Sequence, residues 1–133
     1  MLQAAGRRAA LGAVMLAALP GCTSVALHYP DGRVERRSRD EFAAYVERVF
    51  RYHNRVVDDL IVATVLYGDP AAEDTELQRA ERTMVRACQP LNATVSARFE
   101  QRSVGLRTRL ALPRTVPACE QATRHLDSLL PGM

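Results

Sequence analysis

From Phe42 to Tyr67 apolar residues recur at helical spacing for about seven turns, with no proline or glycine to interrupt them. On a 100° wheel centred on Phe42, one side holds Tyr45, Val46, Val49, Tyr52, His53, Val56, Val57, Leu60, Ala63, Thr64 and Tyr67. Glu41, Glu47, Arg48, Arg51, Asn54, Arg55, Asp58 and Asp59 take the other, with Glu47 and Arg51 in the favourable i,i+4 order. The spacing predicts one helix over 40–67, capped by Ser38 or Asp40. Five of the seven aromatic residues lie in it, so it should organise the core. Its last two turns differ: Ile61, Val62, Val65 and Leu66 make the helix apolar on nearly every side, and that end must be covered by something. These four residues are the candidate interaction surface.

The rest of the chain fits around that helix. Gly68-Asp69-Pro70 reads as a stop followed by a start, with Asp69 capping a second helix and Pro70 at its first position. Leu77, Ala80, Met84, Cys88, Leu91, Val95 and Phe99 form its inward stripe, which keeps phase across Pro90. One kinked helix to about Ser103, with Gly105 as its exit, is therefore expected. Residues 104–116 alternate and read as an extended return, after which Pro117 starts a final helix with Cys119, Ala122, Leu126, Leu129 and Leu130 inward. Upstream, Val25 to Val34 alternate around Pro30-Asp31-Gly32, the pattern of a short hairpin or, failing that, a plain tether. Arg33, Arg36, Arg37 and Arg39 make a basic stretch, either a solvated approach to the helix or a patch for anionic headgroups. The fold expected is mainly α: a small bundle of about three helices with a short N-terminal hairpin, an extended return and one disulfide.

Composition narrows function mostly by exclusion. A chain of 133 residues, 47% hydrophobic and 25% charged, is one domain with a real core. Its net charge of +3 comes from arginines alone, spread along the chain rather than gathered on one predicted helix, so a nucleic-acid partner is not expected.

The N-terminus carries Arg7-Arg8, an apolar run over 9–19, then Leu19-Pro20-Gly21-Cys22. The run is about 17 Å long as a helix, short of the roughly 30 Å hydrocarbon core, and has the anatomy of an export signal. Leu19 to Cys22 resembles the bacterial lipobox, with Pro20 where Ala or Ser is usual. The resemblance implies acylation of Cys22 and cleavage before it, and Thr23 after the cysteine implies an outer-membrane address facing the periplasm. On that reading 1–21 is the signal peptide, 22–39 a tether or hairpin, and 40–133 the helical domain. From Cys22 onward sixteen arginines face fifteen acidic residues, so the apparent basicity is largely the export tag. With Cys22 assigned to lipid, Cys88 and Cys119 remain as an even pair in an oxidising compartment, where a structural disulfide is expected.

No residue pattern points to catalysis. There is no CxxC, no nucleophile elbow, no phosphate loop, no HExxH and no His or Cys spacing suited to zinc, so no enzyme activity, metal or cofactor is expected. Adjacent Asp58 and Asp59 point about 100° apart and form no carboxylate pair; His28 and His125 stand alone. His53, near the centre of the apolar stripe, is the residue to test first, either as a pH-sensitive contact or as a buried, hydrogen-bonded core histidine. The functional expectation is a membrane-anchored, periplasm-facing helical module that binds a protein partner or assists envelope assembly. The rivals are a purely structural or envelope-stress lipoprotein and a weak small-ligand carrier. In size and class the chain is similar to small helical lipoproteins that act as secretin pilots, an analogy of fold alone.

Overall fold

The computed structural model describes residues 24–67 and 75–130. Two strands, β1 (Ser24–His28) and β2 (Val34–Ser38), precede three helices, α1 (Arg39–Tyr67), α2 (Glu76–Phe99) and α3 (Leu106–Leu129). The hairpin is antiparallel with Ser24 opposite Ser38 and Leu27 opposite Glu35. Pro30 and Asp31 take the centre of its turn, closed by the Gly32 N–H donating to the Tyr29 carbonyl at 3.0 Å, and Gly32 sits at φ 88°. That positive φ is why glycine suits the place. Alternation points Val25, Leu27 and Tyr29 at the helices, and Leu27 is fully buried. Arg36 and Arg37 lie in β2, a largely exposed strand that leads directly into α1.

Ser38 begins α1 by a capping box: the Glu41 N–H donates to Ser38 Oγ at 3.2 Å, and the Ser38 N–H to a Glu41 carboxylate oxygen at 2.7 Å. Thr75 and Gln78 repeat the device at α2. The expected start at Asp69-Pro70 lies outside the described residues, and the N-cap of α2 is Thr75 instead. Pro90 lies inside α2, as its unbroken stripe requires.

The end of α2 and everything to Pro117 differ from expectation. The helix stops at Phe99, four residues before Ser103, in a Schellman turn. Gln101 adopts φ 54° and the Arg102 N–H donates to the Ala97 carbonyl at 2.8 Å. Gly105 is not the exit of α2 but the N-cap of α3. The segment 104–116 is not an extended return: α3 is helical from Leu106, and Pro113 and Pro117 both lie inside it. Each proline removes one intrahelical hydrogen bond, Pro113 the one to the Arg109 carbonyl and Pro117 the one to the Pro113 carbonyl. Burial of Leu112, Val116, Cys119, Thr123 and Leu126 along one stripe holds the helix through both.

The disulfide agrees with this geometry. Cys88 lies about 16 Å before the end of α2, and Cys119 about 20 Å after the start of α3. A helical hairpin climbing back through a six-residue link thus brings them level, and their Cα atoms stand 4.6 Å apart in a formed disulfide. The core lies where α1 crosses this hairpin, around Tyr45, Val49, Val56, Met84, Leu91, Val116 and Leu126.

Candidate functional site

One polar cluster is buried in that core. His53 from α1 meets Cys88 and Asn92 from α2 and Cys119 from α3. One ring nitrogen of His53 and both sulfurs lie within 4.8 Å of one another, and all three residues are buried. Thr123 Oγ1 stands 3.7 Å from Cys88 Sγ. Asn92 Nδ2 and His53 Nε2 are 3.3 Å apart, and with the amide donating, the ring proton sits on Nδ1. Nδ1 and Asn92 Oδ1 are both buried without partners. Burial accordingly pushes the His53 pKa down and favours the neutral ring. Joined to each other, the sulfurs are no thiolates, so the trio is not a zinc donor set in this state. The cluster is a stapled core with a neutral imidazole packed on the staple; His53 and the cysteine pair were each expected, but their meeting was not, because they lie on three helices.

The candidate interaction surface is open. Ile61, Val62, Val65 and Leu66 are 56%, 44%, 79% and 62% exposed. The reason is a difference in helix reach. Tyr45 OH donates to Glu120 Oε2 at 2.6 Å and Tyr52 OH to Asp127 Oδ2 at 2.8 Å, so α1 and α3 run parallel with position i beside i+75. Leu129, the last residue of α3, then falls opposite Asn54, and the rest of α1 runs on past it. Among the described residues only α2 is left beside α1 there; Leu60 and Ala63 stay buried and the other faces are bare. Thr64 and Tyr67, expected inward, are exposed for the same reason.

A second apolar surface escaped the sequence reading. A groove of about 700 Å³ runs between the first half of α1 and the last turn of α2, floored by Ala43, Ala44, Val46, Phe50, Val95 and Phe99. Phe99, placed on the inward stripe, is 82% exposed at its rim. The stripe runs out there because α2 ends. Ala43 and Ala44 on a helix otherwise lined with aromatics were the available signal.

The α1–α3 seam is tied by the two tyrosines. Both are desolvated and donate to carboxylates, which raises their pKa values, that of Tyr52 to about 12. Arg37 and Arg48 lie over the Tyr45 ring at 4.7 and 5.1 Å, and Arg55 over Tyr52 at 5.2 Å. Asp58 and Asp59 form no site with each other, and Cys22 lies outside the described residues. No helix among the described residues is long and apolar enough to cross a membrane. No protein family, curated protein or solved structure matches the chain.

Proposed function

We propose that the chain is a lipid-anchored helical module of the bacterial envelope, facing the periplasm, that captures a partner protein on the overhanging end of α1. The observation that carries this reading is the exposed cluster Ile61, Val62, Val65 and Leu66. Four large aliphatic residues on adjoining faces of one helix are costly to leave in water and form the kind of patch that an amphipathic segment covers. Anchoring at Cys22 rests on the lipobox resemblance, and β1 begins two residues later, which would hold the hairpin close to the bilayer.

The reading is tested on native envelopes solubilised in mild detergent. The wild-type chain should migrate in a complex larger than itself, and Ile61→Asp/Val65→Asp should release it as a smaller species. Both side chains are exposed, so melting should move by no more than about 0.5 kcal/mol. A complex unchanged by the double substitution would refute the surface. Mass spectrometry of the same preparation reads Cys22: a diacylglyceryl thioether is expected, and an unmodified thiol refutes the anchor.

A further inference from the structure

We propose that the groove between α1 and α3 is a binding site for phosphate-bearing anions, held by the guanidinium groups of Arg48 and Arg55. This groove, of about 510 Å³, is lined by Arg48, Arg51, Tyr52, Arg55, Glu120 and Arg124, with Val49 at its base. Four arginines and one carboxylate line it. Arg51 pairs with Glu47 and Arg124 with Glu120, while Arg48 and Arg55 form no ion pair among the described residues.

What holds those two instead is the tyrosine seam. Arg48 lies over Tyr45 and Arg55 over Tyr52, each seven residues from its counterpart and therefore on one face, about 10 Å apart along the helix. Each tyrosine is pinned by its hydroxyl to a carboxylate of α3, so the ring beneath each guanidinium is fixed. An arginine held over a ring still carries a planar fork of N–H donors, which matches two oxygens of a phosphate in a way an ammonium does not. Glu120 and Asp127 accept from the tyrosine hydroxyls, and the charge of Glu120 is balanced by Arg124. A neighbouring groove shares Arg48, Glu120 and Arg124, and there Arg33 and Arg37 of the hairpin are paired with Asp31 and Glu35.

Two forks about 10 Å apart suit a ligand with more than one phosphate, or a layer of phospholipid headgroups. The headgroup source rests on the anchoring proposed above, because Ser24 would then lie within about 7 Å of the acylated residue. A soluble phosphate source does not rest on it.

The test uses the full chain, labelled with ¹⁵N, and reads the Nε–Hε resonances of Arg48 and Arg55, assigned by their loss in R48Q and R55Q. One arm titrates inorganic pyrophosphate into the chain in neutral detergent. The other compares the chain in nanodiscs of phosphatidylcholine alone with nanodiscs containing one quarter phosphatidylglycerol. Saturable shifts of both resonances in either arm support the site, and the arm in which they occur identifies the source. In that arm R48Q/R55Q, followed on the backbone amides of Val49 and Tyr52 in the same groove, should weaken binding by about 25-fold, at about fivefold per arginine, and added salt should weaken it further. R107Q/R109Q removes the same charge from exposed positions at the start of α3 and should change binding less than twofold. Resonances that stay still in both arms, or equal losses in the two double variants, overturn the proposal. Neither pair touches Ile61 to Leu66, so failure here leaves the partner surface standing, and the reverse.

Discussion

Opening the Cys88–Cys119 bond should cost this domain a large share of its stability. The two residues are 31 apart in sequence. Cross-linking a loop of that size removes about 12 cal/mol/K of chain entropy from the unfolded ensemble, or about 4 kcal/mol at 25 °C. A domain of roughly 100 residues has about 5–15 kcal/mol in total, and each kcal/mol moves its melting point by about 4–8 °C. Reduction should therefore lower the melting temperature by about 15–30 °C. Cys88→Ala/Cys119→Ala should fall further, by about 1–2 kcal/mol, because both sulfurs are fully buried and their loss leaves a void against His53. Calorimetry or helical circular dichroism, with free thiols counted beforehand, gives both numbers. A shift under about 5 °C in a chain with two titratable thiols would refute the reasoning, since α2 and α3 would then hold their register without the cross-link.

Two further predictions concern protons. The His53 pKa is lowered by burial, so the unfolded chain takes up a proton that the folded one refuses. Stability should be full above about pH 6.5 and decline as pH falls below it, by at most about 1.4 kcal/mol per pH unit; urea melts of His53→Leu should lose that dependence. Tyr52 behaves in the opposite sense: its folded pKa lies near 12 against 10 unfolded, so its contribution is complete below pH 10 and lost as pH rises toward 12. Absorbance at 295 nm should show Tyr52 still protonated at pH 11, and Asp127→Asn should bring its ionisation down.

The parts of the fold that were legible in the sequence are those governed by local periodicity. Helix α1 was readable because its stripe runs unbroken for about seven turns, and the disulfide followed from counting cysteines. The half of α3 before Pro117 was missed for a physical reason. Leu106, Leu110 and Leu112 suggest alternation, and two prolines suggest breaks, but the stripe from Leu112 through Val116, Cys119, Thr123 and Leu126 crosses both prolines. Tertiary burial overrode local preference there. The end of α2 lacked a signal because Gln101, not a glycine, takes the left-handed position. Of the candidate site, the apolar end of α1 was visible in advance. The tyrosine seam and the His53 cluster were not, because their partners lie 31 to 75 residues away.

The central claim, that the overhanging end of α1 is where a partner sits, is tested most directly by photo-crosslinking residues placed one at a time along that helix in native envelopes. Adducts should form at 61, 62, 65 and 66 to one common protein and be absent at 54 and 58, which are exposed and polar. No adduct at any apolar position, or equal labelling at 54 and 58, would contradict the account.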